Sequence, residues 1–205
     1  MKFKRIVTLS LAAAMAMAAT VSAAAIDLTD QNPTGNTEVK AHINGSAGNV
    51  EYVITIPDVI DFGELVQPST DDNSYKYVPY TVTAAKIVGL DAATQEIAVY
   101  VKDQNADIDV DTNFYIRNKT DSSVKFRYDV FDSAVDDTMT NPVSINSGTM
   151  TAPAGYKLHS FNYQGEEVKG TLRLNQNQLY GRNIASIVGE YSGYMVFYSM
   201  IEAKP

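Results

Sequence analysis

The stretch VKFRYDV, residues 124–130, alternates apolar and charged side chains without a break. Because successive side chains of a β-strand point to opposite faces of a sheet, this stretch predicts a strand with one face in the core and the other in solvent. The same period of two recurs along the chain, at residues 52–56, 80–84, 97–101, 114–116 and 168–174. Short strands separated by turn residues predict an all-β protein, an antiparallel β-sandwich of the Ig-like or jelly-roll-like kind.

Two segments near the C-terminus depart from this alternation. Residues 177–188 space their apolar side chains as a helix does, and Gly181 and Gly189 limit the segment to at most one short helix. Residues 191–201 are apolar on both faces. That pattern predicts an interior strand of the sandwich, or a strand lent to a neighbouring molecule.

Residues 1–23 predict a secretory signal peptide. Basic residues open the segment, an apolar stretch follows at residues 6–19, and VSA at 21–23 presents small residues to a signal peptidase. Cleavage is expected after Ala23, and Ala25 offers a second acceptable site. The apolar stretch is shorter than the roughly 20 residues that cross a bilayer, so no membrane span is expected after cleavage. The sequence therefore predicts an extracellular protein.

The rest of the chain divides into an arm and one domain. Residues 24–36 are polar and turn-prone, which predicts a flexible N-terminal arm. Residues 37–205 are long enough to bury a sizeable core, and they predict a single β-sandwich domain. No sorting motif or apolar tail follows the last predicted strand, so the protein is expected to be secreted or held at the cell wall noncovalently.

Composition narrows the classes of function. Residues 1–23 hold three of the 16 basic residues and none of the 24 acidic ones, so their removal changes the formal charge from −8 to about −11. Nucleic acid is therefore not an expected partner. The chain contains no cysteine, which excludes thiol chemistry and a lipid anchor. Thirteen tyrosines and no tryptophan favour half-exposed strand faces and leave tyrosine as the ring for stacking on sugars.

A run of alternating polar residues is the one candidate metal site. Asp103, Asn105 and Asp107 are spaced like the opening of a calcium loop, in which oxygen ligands at odd positions converge on one ion. The loop would need Gly where Ile108 stands and a bidentate Glu where Phe114 stands. The alternative is a solvated hairpin edge whose charges prevent edge-to-edge pairing. No cofactor is expected, and calcium is the alternative that this run leaves open.

A cluster of tyrosines is the candidate contact patch. Tyr75, Tyr77 and Tyr80 surround Lys76 and Pro79, and tyrosine suits an interface because its rigid ring buries area while its hydroxyl keeps a hydrogen bond. The alternative interpretation is a tyrosine-rich strand that covers the core.

The sequence predicts no catalytic residues. His42 and His159 are far apart in the chain, and no Gly-x-Ser-x-Gly motif is present. Glu166 and Glu167 are adjacent, so on a strand they would point to opposite faces instead of flanking one bond, and a charged turn after Gly165 is expected there. We therefore expect a protein that is not an enzyme.

Two segments resemble exported surface proteins of Gram-positive bacteria, of the WxL-type and adhesin-like classes. Residues 54–63, ITIPDVIDFG, are similar to the entry of those domains, in which a strand is followed by Pro, a short apolar segment and Phe-Gly. Residues 189–197, GEYSGYMVF, followed by AKP at 203–205, resemble their closing strand. The Trp-x-Leu motif itself is absent, and Phe197-Tyr198-Ser199 stands in its place. The resemblance implies a sandwich fold and a cell-surface location.

Three functions remain open. The first is a secreted or cell-surface interaction protein, adhesin-like, that binds a host glycoprotein, an immunoglobulin or a cell-wall polymer through loops or a sheet edge. The second is a fibre or matrix subunit that self-associates by donating the arm 24–36 to an incomplete sheet of the next copy. The third is a secreted carbohydrate-active enzyme, since a fold alone never excludes a function.

Overall fold

The computed structural model describes residues 50–204 of the chain. The predicted signal peptide, the predicted arm 24–36 and His42 lie outside the described residues. Within them, nine strands form two antiparallel sheets. The strands are β1 (Glu51–Thr55), β2 (Tyr75–Val88), β3 (Gln95–Asp103), β4 (Phe114–Asn118), β5 (Lys125–Phe131), β6 (Tyr156–Phe161), β7 (Glu167–Asn175), β8 (Tyr191–Ser192) and β9 (Met195–Ala203).

The larger sheet has six strands in the order β1-β2-β7-β5-β4-β8, and the smaller sheet has three in the order β6-β3-β9. All pairs are antiparallel. The prediction of an all-β antiparallel sandwich is thus confirmed. The alternating stretch at residues 124–130 supplies β5, which lies between β7 and β4 inside the larger sheet.

Helical structure is short, as predicted. The segment 177–188 overlaps a 3₁₀ helix, Gln176–Leu179, and contains one turn of α-helix, α1 (Ile184–Ile187). Asn175 and Asn183 precede these turns, and each side-chain oxygen accepts a hydrogen bond from the backbone N–H two residues on. A second 3₁₀ helix spans Ile145–Ser147. None of the helices within residues 50–204 has the length and apolar character needed to cross a membrane.

The core consists of the inward faces of both sheets. The side chains with almost no exposed area include Tyr52, Val82, Ile97, Val99, Val101, Phe114, Phe126, Val130, Phe161 and Leu174. Burial of one side chain of this size contributes about 1.5–3 kcal/mol relative to leaving it exposed. The connection after β1 adds Phe62, whose ring centroid lies 5.7 Å from that of Tyr128. Gly63 follows with a φ of 61°, a left-handed conformation that favours glycine.

The last apolar segment differs from its prediction. Residues 191–201 were expected to form one interior strand, but they divide into β8 in the larger sheet and β9 in the smaller one. Among the described strands, β9 pairs only with β3, so it is an edge strand. The interior strand of that sheet is β3, which is buried on both faces over most of its length. In the last apolar segment itself, Tyr194, Val196 and Tyr198 on the outer face are 37–45% exposed. The apolar pattern on both faces therefore does not correspond to burial on both faces.

Candidate functional site

The three predicted tyrosines all lie on β2, on two faces of the sheet. Tyr80 points to the core, where it is 5% exposed and donates a hydrogen bond of 2.8 Å to the carbonyl oxygen of Phe131. Burial raises the pKa of Tyr80 above its ordinary value. Tyr75 and Tyr77 lie on the opposite face, with ring centroids 6.0 Å apart. The structure therefore brings two of the three tyrosines together on the outer face of the larger sheet.

Strand register adds an arginine to this pair. Tyr77 of β2 lies opposite Arg173 of β7, 96 positions later in the chain. The Arg173 guanidinium carbon is 4.7 Å from the ring centroid of Tyr75 and 4.9 Å from that of Phe131. Its Nη2 donates a hydrogen bond of 2.8 Å to Asp129 Oδ2. An ion pair and two rings thus fix the guanidinium in one place, with a face on Tyr75.

The connection between β5 and β6 forms one wall beside these residues. Its backbone is tied to β7 by Thr171, whose Oγ1 donates to the Ser133 carbonyl oxygen at 3.0 Å and accepts from the Val135 N–H at 3.1 Å. Further along, Asp136 Oδ1 accepts hydrogen bonds from the N–H and hydroxyl of Thr138. These bonds position residues 137–142 beside the tyrosine pair.

The strands β2 and β7 and the connection between β5 and β6 line a cleft of about 520 Å³ that is open to solvent. Its lining combines rings, amides, charged groups and two apolar side chains, namely Asn73, Tyr75, Tyr77, Asp137, Met139, Asn141, Pro142 and Arg173. Tyr75 is 37% exposed and Met139 is 47% exposed, so both are accessible to a ligand. The Tyr–Arg cleft, as we call this set, is the candidate functional site.

Burial and nearby acidic groups keep the hydroxyl of Tyr77 protonated. Burial raises the pKa of Tyr77, the positive charge of Arg173 lowers it, and Asp137 raises it further, with a net upward direction. The Tyr77 hydroxyl therefore remains a neutral hydrogen-bond donor and acceptor at physiological pH. The Nε of Arg173 is buried and makes no hydrogen bond to any residue among 50–204. The cleft thus presents polar groups for hydrogen bonds next to two ring faces.

Sequence reasoning missed Arg173 as a member of this site. The alternation of β7 places Arg173 on the polar face of its strand, which is all that the sequence shows of its position. Its partnership with the tyrosines depends on the pairing of β2 with β7, and that register is not readable from either strand alone.

The acidic run after β3 has a structural role at its first residue. The side chain of Asp103 is fully buried. Its Oδ1 accepts a hydrogen bond of 2.8 Å from the Asn105 N–H, and its Oδ2 accepts from the Tyr115 N–H at 2.9 Å and from Arg117 Nη1 at 3.1 Å. These bonds connect the end of β3 to β4 and engage both carboxylate oxygens.

The other two candidate calcium ligands do not join Asp103. Asn105 and Asp107 are exposed in the turn, where Asp107 Oδ1 accepts a hydrogen bond of 3.0 Å from the Asp109 N–H. Asp107 also pairs with Asp111 in an isolated β-bridge. Within residues 50–204, no group of three or more His, Cys, Asp or Glu side chains is placed to hold a metal ion. The structure therefore places Asn105 and Asp107 in an exposed turn between β3 and β4.

The remaining polar candidates lie at separate places. His159 is on β6, with its ring centroid 4.7 Å from that of Phe161 in an edge-to-face contact. Glu166 ends the turn after Gly165 and accepts a hydrogen bond of 2.6 Å from the Asn162 N–H, while Glu167 begins β7. This arrangement agrees with the charged turn expected there.

The comparisons with known proteins give a distant structural similarity. No family model and no curated protein matches the chain. One similar solved structure comes from a study entitled "Chaperone-tip adhesin complex is vital for synergistic activation of CFA/I fimbriae biogenesis". The match has 13% sequence identity and a TM-score of 0.32, and it covers 74% of this chain and 52% of that chain. This chain therefore spans about half the length of that neighbour, and a TM-score of this size carries no argument about function. The WxL-type resemblance stays a prediction.

Proposed function

We propose that the protein is a secreted or cell-surface interaction protein, adhesin-like and not an enzyme, which binds a glycan in the Tyr–Arg cleft. The observation that supports this proposal is the meeting of Tyr75, Tyr77 and Arg173 in an open cleft on the outer face of the larger sheet.

The lining suits a sugar residue in two ways. The carbon–hydrogen face of a sugar is apolar and packs on an aromatic ring, and two tyrosine rings 6.0 Å apart supply such a surface. Sugar hydroxyls need hydrogen-bond donors and acceptors, and the amides of Asn73 and Asn141 line the same cleft. Binding sites that combine ring faces with a few placed polar groups are typical of small-ligand recognition.

Charge favours a neutral glycan over an anionic polymer. Arg173 is the one cation among the residues that line the cleft, and Asp129 already neutralises it at 2.8 Å. Asp137 lines the cleft and Asp136 stands next to it, so an approaching phosphate or carboxylate would meet negative charge. A neutral glycan of a host glycoprotein, including the glycan of an immunoglobulin, fits this lining better than an anionic cell-wall polymer.

A glycan array probed with the chain from residue 24 onward tests the proposal. We expect retention on a subset of neutral glycans. Replacing both rings, Tyr75→Ala with Tyr77→Ala, removes about 1 kcal/mol of stacking for each, which lowers the affinity by about 30-fold. The matched control is Tyr163→Ala, because Tyr163 is 63% exposed and does not line the cleft.

Three results would contradict parts of the proposal. Equal retention of the double variant would place binding on another surface. Retention only on anionic wall polymers would reverse the choice of ligand. Release of shortened glycans from the array would favour the carbohydrate-active enzyme. Circular dichroism of each variant must match that of the parent protein, so that the loss of binding reports on the cleft and not on unfolding.

A further inference from the structure

The outer edge of β9 presents backbone groups that no described strand pairs. The Lys204 N–H donates to the Thr94 carbonyl oxygen, and the Tyr194 carbonyl oxygen accepts from the Gln104 N–H. Even-numbered residues of this strand therefore direct their backbone groups towards β3. The odd-numbered residues direct theirs away from it, because backbone groups alternate sides along a strand. Among residues 50–204, the one partner on that side is the Tyr52 hydroxyl, 3.2 Å from the Ser199 carbonyl oxygen.

The same edge leaves part of the core incompletely covered. Met195, Phe197 and Ile201 pack against the main core cluster, but they are only partly buried. On the neighbouring strand β3, by contrast, Ile97 and Val101 have no exposed area. One more strand beside β9 would cover these three side chains and pair the free backbone groups.

The chain that precedes β1 has the pattern of such a strand. In residues 37–43, TEVKAHI, the apolar residues Val39, Ala41 and Ile43 alternate with Lys40 and His42. Its apolar face would cover Met195, Phe197 and Ile201 on the core side of β9. Its polar face would lie on the solvent side of the smaller sheet. Seven residues span about 23 Å as a strand, which is comparable with the length of β9.

The connection to β1 is long enough for this placement within one molecule. Residues 44–49, NGSAGN, reach at most about 20 Å, and stacked sheets lie about 10 Å apart. Tyr52 of β1 already contacts Ser199, so the segment that enters β1 starts close to the β9 edge. A strand of the same molecule also docks at a far higher effective concentration than one from another copy.

The β9 edge is a better acceptor than the free edge of β1. The inward side chains of β1, Tyr52 and Ile54, are already 0% and 4% exposed, so an added strand would bury little more apolar area there. We therefore propose that residues 37–43 of the same chain add to the outer edge of β9 and extend the smaller sheet to four strands. This inference does not depend on the Tyr–Arg cleft.

Amide hydrogen exchange measured by NMR on the chain from residue 24 onward tests the proposal. We expect the N–H groups of Met195, Phe197, Ser199 and Ile201 to exchange slowly. Those of Val196 and Tyr198 should also exchange slowly, because β9 pairs with β3. Val39→Asp with Ile43→Asp should speed exchange at the odd-numbered positions by at least about 100-fold and leave the even-numbered ones protected. The even-numbered amides thus report that the variant still folds.

The matched control is Lys40→Asp with His42→Asp, which adds the same charges on the polar face of the segment and should keep all of these amides protected. Fast exchange at the odd-numbered positions of the parent protein would overturn the proposal. Loss of protection at the odd-numbered amides after Ile26→Asp and Leu28→Asp would also overturn it, because the arm 24–36 would then be the added strand. Light scattering must show a monomer, since a dimer or polymer that carries the same protection would mean that another copy donates the strand.

Discussion

The buried carboxylate of Asp103 offers the sharpest test of how the structure is held together. Asp103→Ala removes the acceptor for the Asn105 and Tyr115 N–H groups and for Arg117 Nη1. Removing one partner of a fully buried ion pair lowers the free energy of unfolding by about 3–5 kcal/mol. The loss is smaller here because the side chain of Arg117 is 20% exposed, so that water replaces part of the interaction. The half-buried Tyr115 N–H adds about 1 kcal/mol. We therefore expect a loss of about 3 kcal/mol in the free energy of unfolding.

Urea unfolding followed by circular dichroism measures this change. Asp107→Ala is the matched control, because Asp107 belongs to the same run of acidic residues but is exposed and accepts one hydrogen bond within its turn. That variant should lose about 0.5 kcal/mol. If Asp103→Ala stays within about 1 kcal/mol of the parent protein, or if the two variants lose the same amount, the structural role assigned to Asp103 is wrong.

The same experiment separates this role from calcium binding. A calcium ion held by Asp103, Asn105 and Asp107 at 100 times its dissociation constant would add about 2.7 kcal/mol to the stability of the parent protein. We expect equal unfolding midpoints in excess calcium and in EGTA. A higher midpoint in calcium that disappears in both Asp103→Ala and Asp107→Ala would restore the calcium hypothesis.

Two further predictions concern the sheet and its pH dependence. A Cβ at Gly170 would lie 2.2 Å from Tyr80 Cζ and 2.4 Å from the Phe131 carbonyl oxygen, so Gly170→Ala should lower the free energy of unfolding by about 3 kcal/mol in thermal or urea unfolding. Burial raises the pKa of Asp111, but hydrogen bonds from Asn113 and Lys125 lower it to about 2 overall. Because the pKa of this carboxyl group is lower in the folded than in the unfolded protein, its ionised form stabilises the fold above about pH 4. This contribution is lost as the pH falls towards about 2 and the group is protonated. Asp111→Asn should thus lose about 1 kcal/mol near neutral pH, after allowance for solvent screening, and almost nothing at pH 2 in parallel urea titrations.

Most strands were predictable because one face of each is buried by the opposite sheet. That single constraint imposes the period of two at residues 80–84 and 124–130, and both segments are strands. The segment 97–101 is also a strand, within β3, but both of its faces are buried. No alternating stretch predicts β6. Its residue Leu158 is bulged, since Val99 pairs with His159 and the next residue of β3 pairs with Lys157. One inserted residue shifts the alternation by half a period, so the sequence shows no continuous pattern there.

The tyrosine cluster was only partly predictable for a different reason. Tyr75 and Tyr77 are separated by two positions and Tyr80 by an odd number from both, so parity alone indicates that Tyr80 lies on the other face of a strand. Which face is buried depends on the sheet that packs above it. Arg173 then joins the first two residues through strand pairing, a relation between segments that no local pattern contains.

The acidic run shows how the fold gives different roles to residues that look equivalent in sequence. Asp103 and Asp107 are four positions apart in a repeating polar pattern, yet one has no exposed side-chain area and the other is exposed. The difference arises because Asp103 is the last residue of β3, on the inward face, where β4 presents an N–H and a guanidinium. A carboxylate at that position is stabilised only if those donors are present, and they are supplied by a strand that begins eleven residues later. The chemistry of this run, like that of the Tyr–Arg cleft, therefore depends on strand order more than on the spacing of the residues themselves.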